Sequence, residues 1–363
     1  MPFRRRTPTS PGALIAIGIL GFTLTVTGEA FARGDQQKGA EQKLDKAQAQ
    51  EVQALVKLVN DVALGAPVPS DFPIVWQNHF VKARDQRTFV PYVLSMPQGG
   101  LTNPSVAMYI RVVSKGAEAP AAPADPKAAK DLKAAPRPEY AFEAVVFTDL
   151  KAPEGKDPYR LVRALSVLPG DYTVYAAVRE RPAADKKTGA PGRTSLIRES
   201  LTVPDFWQPG LATSSIIVGD KVELLSAAVP ESQLIENPYD FGRTRLVPAA
   251  AGRTFSKKED LSVIFYVYNT AESKDKKPDV AVEYSFVQKA EGGEKFFNKT
   301  NPQLYNAETL PPAFDMAAGH QIVAGQSVPL ASFPEGDYRL EIKVTDKIAG
   351  KSVVQTVNFT VTP

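Results

Sequence analysis

Acid–base, nucleophilic and metal chemistry draw on histidine, cysteine and clustered carboxylates, and this chain is sparing with them. It has no cysteine and two histidines, His79 and His320, among 363 residues. Thiolate nucleophiles, disulfide frameworks, iron–sulfur clusters and cysteine-ligated zinc are therefore excluded. His79 stands in the strand-like run 75–81 and His320 follows Gly319 in a loop, both far from any His-x-Glu-x-x-His spacing, so no metal site and no cofactor is expected. A serine nucleophile would need a strained Gly-x-Ser-x-Gly turn, whereas Gly325-Gln326-Ser327 runs on into Val328-Pro329. Gly292-Gly293 reads as a hairpin turn in a Lys/Glu-rich stretch and not as a phosphate cradle. Glu308 and Asp315 flank Leu310-Pro311-Pro312 and form the one pair that could carry hydrolytic acid–base work, so a carboxylate-dependent hydrolase is the third reading of the chain.

Binding chemistry has better candidates. Phe206-Trp207-Gln208-Pro209-Gly210 and Asn237-Pro238-Tyr239-Asp240-Phe241-Gly242-Arg243 bracket a junction at 205–245. Aromatics with arginine anchor interfaces, so Phe206, Trp207, Tyr239, Phe241 and Arg243 either hold a partner or pack the domains together. The segment 296–322, with Tyr305, is too long for a hairpin and is a further recognition candidate.

The elements that must position these residues announce themselves by a repeat. Gly170-Asp171-Tyr172 leads into Thr173-Val174-Tyr175-Ala176-Ala177-Val178, and Gly336-Asp337-Tyr338 leads into Arg339-Leu340-Glu341-Ile342-Lys343-Val344, 166 residues later. In the second copy Tyr338, Leu340, Ile342 and Val344 alternate with polar residues, the period of a half-buried antiparallel strand. Gly-Asp supplies the turn, where Asp171 and Asp337 cap backbone amides, and Tyr172 and Tyr338 can return a hydroxyl to nearby backbone as a tyrosine corner. Final strands follow each copy after turns at Thr188-Gly189 and Ala349-Gly350. Upstream, 261–268 and 280–287 read as a strand pair echoing 106–113 and 140–147. Between 106–113 and 140–147, residues 116–138 hold nine Ala and five Pro and cannot build a core, so they are expected to be a mobile loop. These late Gly-Asp-Tyr strands, with Leu261-Ser262-Val263-Ile264-Phe265-Tyr266-Val267-Tyr268, resemble the tandem immunoglobulin-like β-sandwich modules of exported bacterial envelope proteins of acidobacterial type. The resemblance implies a fold and no activity. The Asp-x-Ser-x-Ser motif of the von Willebrand factor A domains that some such proteins carry is absent, which withdraws metal-dependent adhesion.

The N-terminus reads as an export signal: Arg4, Arg5 and Arg6, an apolar run 13–26, then Ala30-Phe31-Ala32. An uncleaved anchor is the alternative, and only then would a membrane be a partner. Cleavage after Ala32 takes three Arg and one Glu from 43 basic and 40 acidic residues, so the net charge falls from +3 to +1 and nucleic acid is not an expected partner. Val52, Leu55, Val56, Val59 and Val62 space one apolar stripe along a helix that Gly65 and Pro67 end.

The expected fold is thus all-β: signal peptide 1–32, N-terminal helical segment 33–70, first β-sandwich 71–208, interdomain linker 209–245 and second β-sandwich 246–363. The expected function is a non-catalytic interaction or scaffold protein of the bacterial cell envelope, periplasmic or extracellular, with a protein partner. The alternative is a carbohydrate-binding module that meets a glycan through exposed aromatics.

Overall fold

A computed structural model describes residues 44–116, 140–155, 157–181 and 192–363. The signal segment 1–32, residues 117–138 of the Ala/Pro-rich stretch and the Thr188-Gly189 turn lie outside the described residues. The described chain divides into two compact units. The first takes 44–215 with Leu224–Arg245, and the second takes Ile216–Glu223 with Leu246–Pro363.

The first unit begins with helix α1 (Lys46–Ala63), opened by a capping box in which Asp45 accepts from the Gln48 N–H and the Gln48 side chain accepts from the Asp45 N–H. Eight strands follow: β1 (Val75–Asn78), β2 (Val81–Lys82), β3 (Thr88–Met96), β4 (Ser105–Ser114), β5 (Phe142–Asp149), β6 (Tyr159–Val167), β7 (Gly170–Glu180) and β8 (Thr194–Val203). β3 pairs with β1, β2 and β6 in one sheet, and the other sheet runs β5-β4-β7-β8. Alternate residues of β4 serve two layers. Val106, Met108, Ile110 and Val112 enter the core between the sheets with Val90, Tyr92 and Leu94 of β3. Ala107 and Tyr109, with Tyr175, Ala177 and Leu196, point the other way and are covered by Leu55, Val59 and Val62 of α1. The apolar stripe of α1 is thus spent on its own unit, each buried aliphatic worth roughly 1.5–3 kcal/mol.

The stretch 209–245, expected as a linker, is itself structured. It carries β9 (Ala212–Thr213), β10 (Ile217–Leu224) and β11 (Asp240–Phe241), and β12 (Thr244–Pro248) follows at once. β11 folds back on β12 with Asp240 opposite Arg245, whose Nε and Nη2 both reach the buried Asp240 carboxylate at 2.7 Å. β10 is a strand of the second unit, Ile217 lying opposite Ile264. Its pairing partners lie far along the chain, Ile217–Gly219 facing Ser262–Ile264, so nothing local marks it as a strand.

The second unit adds β13 (Thr254–Ser256), β14 (Asp260–Tyr268), β15 (Val280–Ala290), β16 (Gly293–Lys299), β17 (Gln303–Tyr305), β18 (Ile322–Pro329), β19 (Gly336–Asp346) and β20 (Lys351–Thr362). β10, β14 and β18 form one sheet with β12. The other runs β13-β20-β19-β15-β16, with β17 also on β15. Tyr338, Phe333, Phe286, Phe297 and Phe359 meet in a ring cluster with neighbouring centroids 4.8–6.4 Å apart. All-β sandwich architecture is what both units show.

The two Gly-Asp-Tyr copies make the same hydrogen bonds. Tyr172 donates its hydroxyl to Leu168 C=O at 2.7 Å and Tyr338 to Pro334 C=O at 2.8 Å. Thr202 donates to Asp171 Oδ1 and Thr360 to Asp337 Oδ1, both at 2.6 Å, one strand over in the same register. Gly170 and Gly336 sit at φ 147° and 135°, which L side chains rarely adopt. One upstream correspondence needs correcting. β15 pairs with β19 as β4 pairs with β7, so 280–287 is the counterpart of 106–113 and not of 140–147. Strands of opposite sheets share the same period of two, so order along the chain does not reveal which sheet each joins.

Candidate functional site

The aromatic candidates separate by burial. Phe206, Tyr239 and Phe241 are buried inside the first unit, where they hold its structure together. Tyr239 hydroxyl lies 2.9 Å from Nδ1 of the buried His79, the rings meeting edge-on at 5.5 Å. This pair ties the 237–241 turn to the β1–β2 connection, and the His79 N–H donates to Pro91 C=O. Burial lowers the His79 pKa to about 4 and raises that of Tyr239, so both are neutral at ordinary pH.

Trp207 is the exception, at 42% exposure. Asp205 positions it: the Trp207 N–H donates to Asp205 Oδ1 and the Gln208 amide donates to Oδ2, each at 2.8 Å. Those bonds hold the Asp205 carboxyl below the usual range. Lys82 Nζ stands 4.3 Å from the centre of the indole, and the indole N–H lies 3.4 Å from Arg87 C=O. The result is a fixed, partly exposed ring flanked by a cation, an amide and a carboxylate. Arg243 is exposed with its Nε on Leu225 C=O at 3.2 Å.

Tyr305 lies in β17 and donates to Gln303 Oε1 at 3.1 Å, which also accepts from Tyr284 at 3.0 Å. Burial pushes Tyr305 up to about 12. Glu308 and Asp315 are both exposed. Asp315 is engaged in a turn, accepting from the Ala317 N–H, while its own N–H donates to Nδ1 of His320 at 2.9 Å. Among the described residues no group of histidines and carboxylates is placed to hold a metal ion.

Two polar centres escaped the sequence. Glu180 and Asp346 end β7 and β19 at matching register, opposite Val106 and Val280, and both are buried. Glu180 accepts from the Thr102 N–H and hydroxyl at 2.5 and 2.9 Å. Asp346 accepts from the N–H groups of Ala271, Ile348 and Ala349 at 2.7, 3.0 and 3.0 Å. Each carboxylate thus pins the loop entering β4 or β15. The change from Glu to Asp concealed the repeat, which only the 166-residue offset exposes. Arg111, buried beneath α1, donates to Tyr109 hydroxyl at 2.8 Å and Asn60 Oδ1 at 2.6 Å, faces Glu143, and stacks 4.0 Å from the Tyr140 ring. Tyr109 hydroxyl in turn donates to Glu143.

No protein-family model matches the chain, and no curated protein does. Among solved structures it is similar to native Escherichia coli alpha-2-macroglobulin at 9% identity and TM-score 0.21, over 83% of this chain and 15% of that one. The same protein activated by porcine elastase matches at 11% identity and TM-score 0.21, over 81% of this chain and 24% of that one. A structure described as pT26-6p matches at 10% identity and TM-score 0.18, over 88% of this chain and 70% of that one. The chain spans under a quarter of the two macroglobulin structures, and at these TM-scores the likeness carries no argument about the site.

Proposed function

We propose that this chain is an exported, non-catalytic interaction or scaffold protein of the bacterial cell envelope. The observation that carries the reading is where its acid–base side chains are spent. His79 is bonded to Tyr239, His320 and Asp315 close one turn, and Glu180 and Asp346 clamp loops. Groups held this way stabilise the turns and loops they bridge. The export half of the reading rests on the N-terminal Arg-rich, apolar and Ala-x-Ala pattern.

A crosslinked pull-down of the tagged protein from its native envelope fraction tests this. A stoichiometric protein partner is the expected result. Turnover of an envelope substrate that is lost in Glu308→Gln or Asp315→Asn would overturn it. A second reading, glycan binding, is favoured by the exposed and rigidly held Trp207 ring. It expects glycans to quench tryptophan fluorescence in the unchanged protein and not in Trp207→Ala, and a glycan panel without quenching removes it.

A further inference from the structure

We propose that the open edge of β20 is a self-association site, at which β20 pairs antiparallel with β20 of a second copy of this chain. The inference stands apart from the envelope reading, because it needs no other molecule.

β20 is paired along its whole length on one side, from Lys351 opposite Asp346 to Val361 opposite Gly336 on β19. On its other side β13 covers only Thr360–Thr362. Among the described residues, 351–359 therefore turn a row of backbone N–H and C=O groups outward with no strand beyond them. The side chains agree: Lys351, Ser352, Gln355, Thr356 and Asn358 are exposed, and Val354 is 51% exposed.

Edges of this length are normally guarded by charge, proline, a bulge or a covering segment. From 351 to 359 the single charge is Lys351 at one end, there is no proline, and the pairing with β19 runs without a register shift. The first unit contains the same strand with its guards in place. Leu201 faces Tyr172 as Phe359 faces Tyr338, so Arg198 and Glu199 occupy the positions of Thr356 and Val357. There the strand's beginning is also covered, since Ser70 bridges Ser195 and the Leu196 N–H donates to Pro69 C=O. The first copy carries charge at mid-strand and a cover over its beginning, and residues 352–359 of the second have neither.

The chemistry of the edge selects its own copy as occupant. An antiparallel pair centred on Gln355 sets Lys351 against Phe359 of the second copy, Val353 against Val357 and Val354 against Thr356, so no like charges meet. Val353, Val354, Thr356 and Val357 are β-branched, the residues that pair best across strands. A charged partner strand would find one complementary lysine at most.

The chain has no cysteine, which makes the test clean. Across an antiparallel pair the residue on the two-fold axis has its Cα about 4.5–5.5 Å from its own copy, within disulfide reach. Gln355→Cys in the full chain should give a disulfide-linked dimer on mild oxidation, in much higher yield than Lys295→Cys on the opposite edge of the sheet. In sedimentation, the unchanged protein should dimerise with rising concentration. Gln355→Lys and Gln355→Glu should each weaken the dimer at least about tenfold, and their equimolar mixture should recover it, which also shows that both variants fold. A monomer at all concentrations overturns the proposal. So does equal crosslinking at 295 and 355, or a Gln355→Lys dimer as tight as the original.

Discussion

His79, His320, Glu180 and Asp346 each make hydrogen bonds within the fold, and His79 makes the consequence measurable. Its ring is buried against Tyr239 and stays neutral down to about pH 4, whereas in the unfolded chain it titrates near 6.5. Between those values the unfolded chain binds a proton that the folded one refuses. Stability contributed by the neutral ring is therefore complete above pH 6.5 and is lost as the pH falls towards 4, amounting to about 3 kcal/mol at the lower end. Unfolding midpoints in denaturant across that window should fall with pH, and His79→Gln should flatten the slope. An unchanged slope in the variant would assign the pH response to other groups. The strand-like surroundings of His79 left a structural or a surface position open, and the fold buries it. That its partner would be Tyr239, 160 residues away, was not legible, because nothing local couples two residues so far apart.

At the scale of elements, one alternating pattern decides what covers each sheet. The β7 face away from the core carries Tyr175 and Ala177, whereas its counterpart on β19 carries Glu341 and Lys343. The first face needs a cover and α1 supplies it, and the second faces water. Val59→Ala removes a fully buried aliphatic from that seam and should cost about 2–4 kcal/mol, read as a lower denaturant midpoint. Val52→Ala, on the same helix but outside the buried set, should cost under about 1 kcal/mol. The helix and its apolar stripe could be read from spacing of three and four residues, and so could the period-two strands that follow. The strand status of 217–224 could not, since its partner strand lies about 45 residues away and a short segment becomes a strand only when a neighbour supplies its hydrogen bonds.

For the whole molecule, the two units close separate cores, and the tryptophans report on one of them. Trp76 and Trp207 both belong to the first unit. Phe333→Ala empties the centre of the second unit's ring cluster, a change worth about 3–5 kcal/mol. Far-ultraviolet circular dichroism should therefore show an earlier transition in this variant while the tryptophan-fluorescence transition stays in place. A joint shift would mean that the units unfold as one.

The all-β class, the helix and the two Gly-Asp-Tyr corners follow from the amino-acid order alone. Each of these is written in residues close along the chain: a period, a turn and a hydroxyl returning four residues back. Folding in three dimensions makes Phe206, Tyr239 and Phe241 core and Trp207 surface. It also matches Glu180 with Asp346, puts β15 in the place of β4, and leaves the far edge of β20 open. Those outcomes depend on which strands become neighbours across long stretches of chain, and a periodicity shared by every strand carries no address for its partner.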